Sequence, residues 1–185
     1  MKDWKAEVII LRIILVALNA RYVHTNLAVR SLREVLREQD GQNWNVSIRE
    51  FSINEQLEKV AGEIYEEKPD MLGFSCYIWN LSRVLALIRM LRPVLPEVFF
   101  FAGGPEVSYN ARVLLSEYPE LDAVVLGEGE YSVPDLVKAR ACGDLPWEVS
   151  GVCWRLRPES LIKSEQENRK SCSMKLYYKL EIVMM

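Results

Sequence analysis

Three short stretches of this chain carry residue types able to hold a ligand: Gly103-Gly104-Pro105-Glu106-Val107-Ser108, Ser75-Cys76-Tyr77-Ile78-Trp79-Asn80 and Gly127-Glu128-Gly129-Glu130-Tyr131-Ser132. Glycine adopts backbone angles closed to other residues and leaves no side chain between peptide and ligand. Gly103 and Gly104, stiffened by Pro105, therefore suit close approach, although a plain strand-to-helix turn would use the same residues. The device recurs at Gly127 and Gly129, and Ser75, Tyr77 and Asn80 supply hydrogen-bonding groups on a strand between, so one shared surface is the simplest account. Gly127-x-Gly129-x-x-Ser132 comes close to the dinucleotide fingerprint. Glu128 and Glu130 oppose that reading, because they place negative charge where a pyrophosphate would meet helix amides. Carboxylates there suit donors such as ribose hydroxyls or neutral amides; equally, Glu130 complements the dipole of a following helix with Ser132 as a cap.

Other chemistries find little support. His24 is the one histidine, and a lone histidine is open to a structural role as much as a ligand role. No nucleophile, base and orienting group assemble from the sequence, and Asp122, Asp135 and Asp144 read as surface or capping acids. Cys76, Cys142, Cys153 and Cys172 form neither a disulfide framework nor CxxC or CxxxCxxC, which points to a reduced, cytoplasmic protein without a cysteine-built metal site. Cys76, ending an apolar run, reads as a small buried hydrophobe. Formal net charge is −3 with lysines and arginines dispersed, so no basic stripe marks nucleic acid as a partner. The apolar run near the start follows Lys2 and Lys5 like a secretory signal, but Glu7, Arg12 and its Ile/Val content favour a central strand, and no stretch reaches a membrane span.

The elements that must position these residues follow a regular rhythm. Apolar runs at Ile9 to Leu18, Trp44 to Phe51, Met71 to Cys76, Val98 to Ala102 and Ala123 to Leu126 alternate with helical stripes. The first stripe is Leu27, Ser31, Leu32, Val35 and Leu36, the second runs from Leu57 to Tyr65 with Asn54 as N-cap, and the third runs from Leu81 to Ile88 after Asn80. Crossovers between successive strands are nearly always right-handed. The expectation is α/β: a doubly wound, parallel five-stranded sheet with helices on both faces. Ligands of such sheets bind beyond the strands' carboxyl ends, at the point where strand order reverses. Those ends carry "NARYVHTN", "SCYIWN", "GGPEVS" and "GEGEYS", whereas the bland "SINEQ" after the second strand suits an edge.

"ALNARYVHTNLAVRSL", "GFSCYIWN", "GGPEVSYN" and "GEGE", in that order at these strand ends, resemble the N-terminal cobalamin-binding domain of cobalamin-dependent radical SAM proteins. The resemblance covers residues 8–157. It implies a flavodoxin-like fold with strand order 2-1-3-4-5 that holds cobalamin over the carboxyl rim, the nucleotide tail pushed down between strands. It further implies that Asn19, Ala20, Arg21, Tyr22 and His24 lie under or beside the corrin, that Ser75, Tyr77 and Asn80 line the tail channel, that Gly103, Gly104, Glu106 and Ser108 pass close to the nucleotide, and that Gly127, Glu128, Gly129 and Glu130 hold its far end. Proteins that ligate cobalt through histidine carry DxHxxG after the first strand; Asn19-Ala20-Arg21 stands here instead, and Arg21 stays protonated. Cobalamin is therefore expected without histidine ligation of cobalt.

Radical SAM chemistry needs an iron–sulfur cluster, so the cluster and S-adenosylmethionine are expected only in a C-terminal domain missing from this sequence. That radical SAM domain would be a partner in cis or in trans, and the isolated chain is not expected to catalyse its reaction. Residues 158–185 read as an atypical tail: truncated, frameshifted, disordered or a short extra strand. Two alternatives stay open: a nucleotide or flavin binder on the same fold, and a protein-interaction fragment displaying Trp147, Trp154 and "LEIVMM".

Overall fold

The computed structural model describes residues 10–20, 25–39, 44–142 and 149–155, all within the compact unit that ends at Arg155. Arg21, Tyr22, His24, Asp144, Trp147, Cys172 and the tail 158–185 lie outside the described residues.

Strand β1 (Leu11–Asn19) is buried on both sides, as the centre of a parallel sheet must be. The two-residue period sends Ile13, Leu15 and Ala17 to one face and Ile14, Val16 and Leu18 to the other, into two separate cores. Helix α1 (Leu27–Arg37) starts at Asn26, whose side chain caps the Val29 amide. β2 (Trp44–Ser52), α2 (Leu57–Glu66), β3 (Met71–Ser75) and α3 (Leu81–Leu91) continue the alternation, followed by β4 (Phe99–Gly103) and the short helices α4 (Pro105–Ser108) and α5 (Ala111–Glu117). β5 (Ala123–Val125), α6 (Gly129–Ala141) and β6 (Val152–Trp154) complete it. The sheet order is β2-β1-β3-β4-β5-β6, so the winding reverses between β1 and β3. Helices α1 and α6 cover the face of Leu15 and Phe101, while α2, α3 and α5 cover the face of Val16 and Phe100.

The flavodoxin-like expectation holds, with one addition. β6 pairs antiparallel with β5, Val124 opposite Cys153, and occupies the edge that five strands would leave open. Three residues are too few for a periodic signal in sequence. The pairing also leaves Trp154 half-buried against the α1/α6 core rather than fully displayed. Asp122 is a correction of another kind: it is buried, and its Oδ2 accepts from Phe100 N–H at 2.8 Å and from Arg92 at 2.5 Å. Arg92 in turn lies over the Phe100 ring, 3.9 Å from its centroid. At α2 the N-cap is Gln56 rather than Asn54. Ser132 is buried inside α6, whose N-cap is Glu128, so it does not cap that helix. Among the described residues no helix is long and apolar enough to cross a membrane.

Candidate functional site

The strand register determines which small side chains stand together. Leu15 lies opposite Gly73, Gly73 opposite Phe101, Ser75 opposite Gly103 and Gly103 opposite Val125. All six therefore sit on the face covered by α1 and α6. Gly73, Ser75 and Gly103 leave that face short of side-chain volume in its carboxyl half, and Ala28 on α1 and Gly129 on α6 are equally small. The result is a slot of about 600 Å³ between sheet and helices, walled by Leu15, Val29, Leu32, Phe101, Val125 and Val133. It opens at the carboxyl ends of the strands, beside the reversal of strand order.

Ser75, Tyr77, Gly103, Gly104, Ser108, Gly127, Glu128, Gly129 and Glu130 all line this one cavity. Gly104 has φ +120, and a Cβ there would run into the Cys76 carbonyl oxygen, with the Cys76 C and N atoms at 3.2 Å. The residue is thus what lets the β4–α4 turn lie against the end of β3, where Cys76 N–H donates to the Gly103 carbonyl at 2.8 Å. Gly127 also has positive φ, +67, but a Cβ would meet nothing within 4 Å. Its glycine serves the turn rather than close packing. Ser108 turns its hydroxyl to the Gly104 carbonyl at 2.9 Å, which leaves its lone pairs for donors.

Four predicted residues stand outside the lining. Asn80 is fully buried and acts as a brace: its Nδ2 donates to the Leu18 and Ser75 carbonyls, each at 3.0 Å, and its Oδ1 accepts from Tyr77 N–H at 2.8 Å. It ties the ends of β1 and β3 together. Asn19 donates to Glu50 at 3.2 Å, Ala20 is exposed, and Glu106 is half-buried in α4. Arg21, Tyr22 and His24 lie outside the described residues. Cys76 is buried beside the slot, and burial pushes its thiol up to about 12, which disfavours the thiolate.

Gly73 was not singled out in the sequence, although a glycine inside a strand signals a close approach. A Cβ on it would lie 2.7 Å from Phe101 Cε2 and 3.0 Å from Leu15 Cδ2. The apolar walls were not legible at all, since Val29, Leu32 and Val133 have the same pattern as any core-facing helix residue. Around the mouth, Leu27, Ile78, Trp79, Tyr109 and Tyr131 are exposed, and Trp79 stacks on Tyr77 with ring centroids 4.6 Å apart. An apolar slot beneath an aromatic rim, with hydroxyls and two carboxylates and no cationic side chain among the described lining residues, suits a large ligand carrying a slender appendage. It does not suit a pyrophosphate seated at the α6 N-terminus, where Glu128 and Glu130 stand.

Fold and slot together define a domain of the doubly wound class with an open slot beside the switch point. The chain belongs to the B12 binding domain family, whose model matches residues 13–137. It is similar to the cobalamin-dependent radical SAM methyltransferase TokK of Streptomyces tokunonensis, 32% identical over 84 residues, which is 45% of this chain and 12% of that protein. It is also similar to the hopanoid C-3 methylase of Methylococcus capsulatus, 38% identical over 87 residues, 46% of this chain and 17% of that protein. The radical enzyme OxsB, solved with aqua-cobalamin and S-adenosylmethionine, shares the fold with a TM-score of 0.68 at 18% identity, over 82% of this chain and 21% of that one. The matched part of this chain thus spans less than a fifth of these two curated relatives. The chain is a B12-binding domain similar to the cobalamin module of radical SAM methyltransferases.

Proposed function

We propose that residues 8–157 hold cobalamin with its nucleotide tail in the slot between the sheet and helices α1 and α6. In this reading the apolar walls take the base of the tail, Ser75, Ser108 and Tyr77 offer hydrogen bonds, Gly103 and Gly104 give backbone close to the nucleotide, and Glu128 and Glu130 accept from hydroxyls. Asn19, Ala20, Arg21, Tyr22 and His24 would lie beside the ring, with Asn80 holding Ser75 and Tyr77 in place from behind. The observation that supports it is the slot itself, which is largely apolar and emptied of side chains by small residues on β3, β4, α1 and α6.

When bound, cobalamin would supply methyl-transfer chemistry at its cobalt. The chain's own contribution is to bind the cofactor, orient it at the rim and keep water from its tail. Cobalt takes no imidazole from this chain in our reading, because Arg21 occupies the place of the ligating histidine and does not deprotonate. The partner is a radical SAM domain, joined in cis or docked in trans, that provides the iron–sulfur cluster and S-adenosylmethionine. The decisive experiment mixes purified protein with hydroxocobalamin, removes free ligand and records the visible spectrum. Retained corrin absorbance at micromolar protein is expected, and its absence defeats the reading. NAD and FMN, run beside cobalamin in a thermal-shift assay, should leave the melting temperature unmoved, since only a ligand of the folded state raises it. An imidazole superhyperfine pattern in the electron paramagnetic resonance spectrum of the reduced, loaded protein would refute the claim about cobalt ligation.

A further inference from the structure

One hydroxyl in the slot has its direction set by a chain of donors that begins at the backbone. At the start of α1, the Asn26 side-chain oxygen accepts from Val29 N–H at 3.3 Å. A backbone N–H only donates, so the amide oxygen must face it and the amide nitrogen must face away. That nitrogen donates to Ser75 Oγ at 3.0 Å in a buried bond. Glu50 anchors the arrangement from β2: its Oε1 accepts from Asn26 N–H at 2.6 Å and from Asn19 at 3.2 Å, and its Oε2 accepts from Arg30 at 2.8 Å. Ser75 Oγ is therefore the acceptor toward Asn26, and no other side chain among the described residues takes up its hydrogen. Ser75 lines the slot, so the hydrogen is left for a ligand. Ser108 has the opposite polarity, since its hydrogen is committed to the Gly104 carbonyl.

Resting on the cobalamin reading, we infer that Asn26 is a positioning residue: it fixes Ser75 as a hydrogen-bond donor to the slot and so reserves that point for an acceptor atom of the nucleotide tail. The Asn26→Asp substitution inverts the device without removing the cap. One carboxylate oxygen still accepts from Val29 N–H, the other faces Ser75, and the hydroxyl turns to donate to it. The slot then meets the ligand with lone pairs. Asn26→Ser keeps a capping oxygen but is too short to hold Ser75.

The test is the affinity for hydroxocobalamin, by absorbance titration, of the unaltered protein, N26D, N26S, S75A and N26D/S75A. Cobinamide, which lacks the nucleotide, is titrated in parallel, and circular dichroism reports folding. N26D should weaken hydroxocobalamin binding roughly 10-fold, and N26S and S75A roughly 3-fold each, the range of one misdirected or lost hydrogen bond. In the S75A background N26D should add less than about 2-fold, because the two residues act as one unit. Cobinamide affinity should not respond to any of them. A loss for N26D that persists in S75A, or appears equally with cobinamide, overturns the inference and makes Asn26 merely structural. Folded variants that all bind hydroxocobalamin like the unaltered protein overturn it too, while leaving the cobalamin reading intact. Should N26D not fold, N26S and S75A decide by the same criteria. Failure of the unaltered protein to hold cobalamin overturns both.

Discussion

Replacing Gly73 by alanine tests whether the slot is the binding site, because the added methyl has a defined place to go. Its Cβ would stand 2.7 Å from Phe101 Cε2 and closer still to Cζ, with Leu15 Cδ2 at 3.0 Å on the other side. Ordinary contact begins near 3.4 Å, so the Cε2 edge must retreat by about 0.7 Å, and the ring tip by more. Overpacking a filled core costs about 1–3 kcal/mol. Phe101 borders open volume, so its ring escapes by swinging into the slot. The stability loss should fall at the low end, about 1 kcal/mol, which is a drop of roughly 2–4 °C in Tm for a chain of this length. The relief narrows the slot, and cobalamin affinity should fall by about 10-fold or more, or about 1.4 kcal/mol. Thermal unfolding and absorbance titration of the same preparation measure the two effects. A G73A protein that loses stability but binds cobalamin undiminished would show that the tail does not enter between Gly73, Phe101 and Leu15.

Three further outcomes separate the roles of other residues. Gly104→Ala should cost more than about 2 kcal/mol by urea titration, because positive φ and the Cys76 backbone both resist a Cβ, whereas Gly127→Ala should cost only about 1 kcal/mol of local strain. Asp122→Ala removes the buried carboxylate that receives both Arg92 and the Phe100 amide, and should destabilise by about 3 kcal/mol in the same assay. Burial alone would raise the Glu50 carboxyl, but hydrogen bonds from Asn26, Asn19 and Arg30 together hold it below the usual carboxylate range. Its contribution is therefore present above the unfolded value near pH 4.5 and lost as pH falls through the lower folded value. Glu50→Gln should flatten the acid limb of the pH–stability curve in that window, and an unchanged acid limb would contradict the assignment.

How far the sequence carried the site depends on the kind of residue. Gly103, Gly104, Gly127 and Gly129 were legible because the same glycine device recurs after two strands with polar groups on the strand between, and the structure brings them to one cavity with Ser75, Ser108 and Tyr77. Asn80 was legible as important but not in its role. Its amide meets the Leu18 carbonyl, a group 62 residues away in the chain, and no local pattern encodes such a partner. Asp122 was misread as a surface acid for the same reason, since Arg92 and Phe100 reach it only once β4 and β5 are paired. The antiparallel β6 escaped notice because three residues take their strand identity from the open edge beside them rather than from their own composition.

By itself the amino-acid order determined the alternation of strand and helix, the parallel winding and the rim on which glycine and polar groups gather, because period, caps and glycine placement are local properties of a chain. Tertiary structure alone decided that Gly73, Ser75 and Gly103 vacate the same face, that α1 and α6 roof the space they leave, and that the Asn26 side chain reaches Ser75. Register between non-adjacent strands fixes which side chains share a face, and a cavity exists only where the missing volumes of several elements coincide.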